Sequence, residues 1–272
     1  MAIKFDIKKM ARAKGRRKAG VYKPKVAPPL FRKQLFNIYN RIVREWSRVI
    51  VQELLPAYAG ALKQLGWRDG ADDILKSIIA ATKSGNSVLV AALEDDLQRW
   101  AVSVEAWERE DIIRGLRASV GVDIRPFLNP EDAADEISAY ISQNVALLED
   151  LSAETAMRVE RTVWDAFIKQ TPRSELASDL MDEMDIERNR AEFIARDQTT
   201  KLGNDMNRIR QEQAGIEQYI WRHSGKVNFR EEHKERDGEI FSWDDPPEGG
   251  HPGEEPNCGC TAEAYIDLGE DE

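Results

Sequence analysis

The chain has 272 residues, 42% of them apolar and 32% charged, and a formal net charge of −10. That is enough apolar material for one large or two ordinary domains, which excludes a wholly disordered chain. Mean hydropathy is −0.55, and no apolar run approaches the ~18 residues of a membrane-spanning helix, so a membrane role is excluded at this level.

The N-terminal twenty residues are basic but lack the apolar segment and small-residue cleavage site of a secretory signal, so a cytoplasmic setting is expected. Charge is unevenly placed. From Lys4 to Lys25 ten lysines and arginines face one acid, Asp6, whereas after Arg236 every charged side chain is Asp or Glu. Lys8, Lys9, Arg12, Lys14, Arg16, Arg17 and Lys18 are therefore candidates for contact with nucleic acid or an acidic partner surface. Such contacts attract phosphate without reading sequence. The alternative is a solvated terminus.

Val21 to Leu30 contains three prolines and no helical period, and reads as an extended linker. Leu35, Ile38, Tyr39, Ile42, Trp46, Val49 and Ile50 then recur at three- and four-residue steps, predicting a helix of about six turns that Pro56 ends or kinks. Further helical patterns run over Ala71–Ala81 and Val88–Leu116, with an interruption at GVDIRPFLNP. Asn129 and Pro130 predict the cap and first residue of a helix reaching about Glu149. Ser152 is expected to cap another reaching Gln170, with a break at Thr171 and Pro172. The tryptophans of these stripes, Trp46, Trp100, Trp107 and Trp164, are read as core. A last, more polar helix is expected from Arg188 to about Gly215. IEQYIWR and DGEIFSW then read as short strands, the second led by an Asp-Gly turn.

All three histidines and both cysteines fall between His223 and Cys260. Zinc takes nitrogen and sulfur in a tetrahedron, and His233, His251, Cys258 and Cys260 offer two of each. The single spacer of Cys-Gly-Cys is tighter than structural zinc sites usually use. The alternatives are two buried thiols packed as small hydrophobes, or a thiol nucleophile with His251 or His233 as base. Glu231, Glu232, Asp237 and Asp244 near His233 suit either a hydrolase or a solvated charged face. The chain has no phosphate-cradling glycine loop, G-x-S-x-G elbow or H-E-x-x-H helix, and a non-enzymatic role is expected.

The series RAEFIAR, YIWRHSG, FREEHKERDGEIF and PPEGGHPGEEPNCGC resembles the C-terminal motif of phage head morphogenesis proteins, the minor head proteins similar to protein F of phage Mu. The matching residues include Arg190, Ala191, Ile194 and Arg196 on the helix, Tyr219 and Trp221 on the strand, and Arg230, His233, Asp237, Gly238 and Phe241 at the turn. His251, Asn257, Cys258 and Cys260 match at the end. Asp197-Gln198 replaces the family's Thr-Glu, and Gly259 replaces the arginine of Cys-Arg-Cys.

The expected fold is mainly α: a basic arm and linker over 1–30, a long-helix body over 31–184, a small α+β domain over 185–265 and an acidic tail over 266–272. The resemblance implies a minor capsid protein acting in head assembly near the portal, in the virion head after assembly in the host cytoplasm. It also implies partners among portal, other head or scaffold proteins, with packaged DNA reached through the basic arm. A metal- or thiol-dependent enzyme, or a DNA-binding protein using the arm, are the alternatives.

Overall fold

The computed structural model describes residues 6–16, 18–63, 71–128 and 130–269. Arg17 and Asn129 lie outside the described residues, and so does the cap expected at Asn129. The elements in chain order are α1 (Ile7–Ala13), β1 (Gly20–Tyr22), α2 (Pro29–Val49), a π-helical turn (Ile50–Leu54), α3 (Leu55–Lys63) and α4 (Ala71–Val120). After two 3-10 turns come α5 (Ala134–Lys169), α6 (Arg173–Gln213), β2 (Gln218–Arg222), α7 (Glu231–Glu235), β3 (Ile240–Ser242) and β4 (Thr261–Ile266). The chain is mainly helical with one small sheet, as expected.

Several helices are longer than their local patterns suggest. Ala71–Val120 is one helix, Ser152 lies inside α5 instead of capping a new helix, and α6 begins at Arg173. A serine or glycine in a helix interior costs at most about 1 kcal/mol, which a long apolar stripe overrides.

The chain divides into two compact units, residues 33–99 with 141–195, and residues 1–32 with 100–140 and 196–272. The described elements of the first unit are all helical. Leu35, Ile42, Trp46, Leu54, Leu93, Leu97, Leu148, Val159, Val163 and Leu180 form its buried interior, each such side chain contributing about 1.5–3 kcal/mol by leaving water. Two buried tyrosines inside it are paired through their hydroxyls. Tyr39 Oη donates to Asn144 Oδ1 at 2.8 Å, and Tyr58 Oη donates to the Thr171 carbonyl at 2.8 Å. Arg190 pairs with Glu154, so this matched arginine joins α6 to α5 in a partly exposed ion pair.

The second unit holds the sheet. Its strand order is β1-β4-β2-β3, all neighbours antiparallel. Tyr219 stands opposite Ala264 and Trp221 opposite Ala262. Part of the basic N-terminal segment is built into this unit. Asp6 caps α1 by accepting from the Lys9 amide at 2.9 Å, Ile7 and Ala11 are fully buried, and β1 pairs with β4. The Cδ2–Cε2 edge of the Tyr22 ring meets α4 where Gly115 has no side chain: a Cβ there would fall 2.0 Å from the ring. The Tyr22 hydroxyl donates to Asp111 at 2.8 Å. Ile7, Ala11, Tyr22, Ile112, Leu116, Val120, Ile216, Ala264 and Ile266 share one core. A smaller one contains Tyr219, Trp221, Trp243, Cys258, Cys260 and Ala262.

Candidate metal centre

The smaller core is assembled from three stretches. On β2, Tyr219 and Trp221 point the same way because side chains alternate along a strand. The chain leaves β2 through a loop to α7, one turn and a half of helix, whose inward side carries His233 at 4% exposure. Trp221 meets the His233 ring edge-on at 5.1 Å between centroids, with Arg236 over its indole at 5.3 Å. The reversal into β3 is made at Gly238, φ +92°, whose amide donates to the Trp221 carbonyl at 2.9 Å. Asp237 accepts from the His223 amide at 3.0 Å and so closes the loop.

The third stretch is the proline- and glycine-rich segment before β4. Its chain path is fixed from outside. Asn257, at φ +59°, donates its amide to Asp197 of α6 at 2.5 Å, and Lys226 Nζ donates to the Asn257 carbonyl at 3.2 Å. Asn204 Nδ2 donates to the Cys260 carbonyl at 3.2 Å, and Asn207 Nδ2 to the Ala262 carbonyl at 3.1 Å. These contacts deliver Cys258 and Cys260, 5% and 2% exposed, against His233.

His233 Nδ1 lies 3.4 Å from Cys258 Sγ and 3.7 Å from Cys260 Sγ. One donor atom from each of the three residues fits within 4.8 Å, and the group could hold a metal ion. The other His233 ring nitrogen, Nε2, is 2.6 Å from Glu255 Oε2, and Arg230 Nε is 3.2 Å from the same oxygen. Cys258 is held toward the thiolate by a hydrogen bond from the Cys260 thiol, against burial, with help from the backbone amides of Cys260 and Gly253. Cys260 is pushed the other way, because it keeps the proton it shares with Cys258 and because it is buried.

Three of the four expected metal ligands are thus together. His251 is not among them: its Nδ1 pairs with the Tyr219 hydroxyl at 3.0 Å, and its ring packs against Trp243 at 5.0 Å. Burial, with Arg208 adding to it against Glu254 and Asp205, lowers its pKa. His223 accepts from the Gly225 amide at 3.2 Å and stacks edge-on against Phe229. Sequence reasoning did not single out Glu255, Asn204 or Asn207, and it treated Asp197 only as a departure from the family pattern. Glu255 sits in an acidic run that looks like a solvated face, and its only sequence signal is proximity to Cys258.

Of the basic candidates, Lys8 pairs with Glu217 at 3.2 Å, and Arg12 Nε donates to the Leu268 carbonyl at 2.9 Å. Lys9, Lys14, Arg16 and Lys18 are exposed. Arg196 lines a groove of about 300 Å³ in the same unit together with Lys25, Glu108, Asn207, Lys226 and Thr261.

Comparison with known proteins agrees with the motif. Residues 157–263 match the model of the family described as Phage Mu protein F like protein. An uncharacterized protein of Haemophilus influenzae is 30% identical over 168 residues, which is 61% of this chain. The chain spans 38% of the length of that relative. No solved structure matches. The His233, Cys258 and Cys260 cluster, with β2 and β3, lies inside the matched region, and this part of the chain is similar to the Phage Mu protein F-like family.

Proposed function

We propose that the chain is a minor head protein of a tailed phage or prophage, acting in head morphogenesis at the portal vertex and residing in the virion head after assembly in the host cytoplasm. The observation that carries this reading is the match of residues 157–263 to the Phage Mu protein F-like family. Its molecular features are compatible with an assembly part. No helix among the described residues is long and apolar enough to cross a membrane. The chain combines an acidic whole with a locally basic N-terminal surface, where Lys9, Lys14, Arg16 and Lys18 are free to meet the acidic face of a portal or scaffold protein, or packaged DNA.

The test is co-purification with the portal protein encoded by the same phage, followed by size-exclusion chromatography. A complex that survives moderate salt supports the reading. Well-folded protein that elutes apart from the portal, and is absent from purified heads, overturns it.

A further inference from the structure

We propose that His233 Nδ1 and the sulfurs of Cys258 and Cys260 bind a zinc ion that staples α7 to the segment leading into β4. The first support is geometric. Zinc bonds of about 2.3 Å to sulfur and about 2.0–2.1 Å to nitrogen, at a tetrahedral angle, place the two donors about 3.6 Å apart. The two nitrogen–sulfur separations are 3.4 and 3.7 Å. Both edges of the donor triangle that start at His233 therefore suit a single ion of this size.

The second support is charge and donor type. Zn²⁺ with two thiolates and a neutral imidazole sums to zero, so a nearly fully buried site gains no net charge. The two thiol protons leave to solvent as the ion enters. Calcium and magnesium ask for oxygen donors, and a sulfur–nitrogen set favours zinc over them. The chain fills three vertices of the tetrahedron, and in the isolated protein water takes the fourth.

The third support lies around the donors. Glu255 stands at the ring nitrogen remote from the sulfurs, 2.6 Å from Nε2, where metal-bound histidines commonly meet a carboxylate. Arg230 holds that carboxylate at 3.2 Å. A thiol nucleophile with a histidine base would use the same atoms, but Cys258, Cys260 and His233 are 5%, 2% and 4% exposed. A substrate would have to displace packed side chains to reach either sulfur. Among the described residues the smaller core has six buried members, and small cores are commonly reinforced by a metal.

The experiment uses the full chain, expressed with zinc in the medium, purified without chelator and assayed for metal. The expected result is about one zinc per chain, retained in His251→Ala and lost in Cys258→Ser and Cys260→Ser. Because the cysteine variants can fail to fold, wild-type protein is also stripped under reducing conditions and loaded with Co²⁺. A sulfur-to-cobalt charge-transfer band with intense tetrahedral visible bands is expected. Below about a tenth of an equivalent of zinc together with no sulfur-to-cobalt band overturns the proposal. So does a His251→Ala variant that loses its zinc as fully as Cys258→Ser does. Neither result depends on whether the chain binds a portal.

Discussion

Glu255 Oε2 lies 2.6 Å from His233 Nε2, the ring nitrogen that does not face the two sulfurs. A carboxylate there favours the tautomer with its proton on Nε2 and leaves the Nδ1 lone pair directed at the site between Cys258 and Cys260. Glu255→Ala should therefore weaken zinc binding by about 10- to 100-fold with the stoichiometry unchanged, and Glu255→Gln, which keeps an acceptor, should weaken it less. Competition against a chromophoric chelator measures this. Equal affinities in all three proteins would remove Glu255 from any positioning role.

Asp197 accepts the Asn257 amide at 2.5 Å and pairs with Lys201 at 3.1 Å, so one carboxylate ties α6 to the residue just before Cys258. A hydrogen bond to a charged group is worth about 1.5–3 kcal/mol. Asp197→Ala is expected to lower unfolding free energy by that amount in urea and to loosen the cysteine segment, read as faster amide exchange at Cys258 and Gly259. A loss within about 0.5 kcal/mol, the usual range for an ordinary surface change, would contradict this.

How far these relationships could be read beforehand differs by element. The helical body was legible because Leu35, Ile42, Trp46 and Leu97 repeat at helical steps over long stretches. The His and Cys cluster was legible because those residue types occur nowhere else. β1 was hidden: three residues, Gly20 to Tyr22, inside a basic proline-rich segment carry no alternation, and their partners in β4 lie more than 240 positions away. β4 was hidden for a related reason, since its inward residues Ala262 and Ala264 are small and weak strand formers. The place of His251 was not legible because the choice between metal ligand and partner of Tyr219 depends on loop geometry set by glycines at positive φ.

Glu108 is 5% exposed on α4, and burial, then the charge of Asp111, push its carboxyl well above the usual range. The folded chain therefore keeps this proton at pH values where the unfolded chain has released it. Folded protein then binds more protons, and stability falls as pH rises from the ordinary carboxyl range up through the raised folded value. Glu108→Gln removes that titration. The variant should be more stable than wild type at about pH 7, with a smaller loss of stability between about pH 5 and pH 7. Melting curves across that range test it, and an unchanged pH dependence would contradict the assignment.

Lys9, Lys14, Arg16 and Lys18 are exposed, while Lys8 and Arg12 are engaged within the chain. If DNA is met through this surface, replacing the four exposed cations by alanine should reduce the slope of log affinity against log salt by about 3 to 4, close to 0.9 for each phosphate that is no longer neutralised. Fluorescence anisotropy with a short duplex gives the slope. The fold should be unaffected, because none of the four is buried. An unchanged slope would exclude these residues as phosphate-binding groups and leave the acidic face of a protein partner as their target.

Gly253 combines a φ of +94° with a close approach: an added Cβ would lie 1.9 Å from Asn204 Nδ2. Asn204 itself donates to the Cys260 carbonyl at 3.2 Å, and the Gly253 amide supports the Cys258 sulfur. One methyl group thus presses on the hold over both cysteines. Gly253→Ala should cost about 1–3 kcal/mol through backbone strain alone and should also reduce zinc retention. Gly225→Ala is the control, since Gly225 has φ +67° but open space around its Cβ position; it should cost about 1–2 kcal/mol and keep its zinc. Urea unfolding and metal content of the two variants, measured side by side, separate backbone strain from the clash with Asn204. Equal losses of stability with zinc retained in both would show that Asn204 has no part in holding the cysteines.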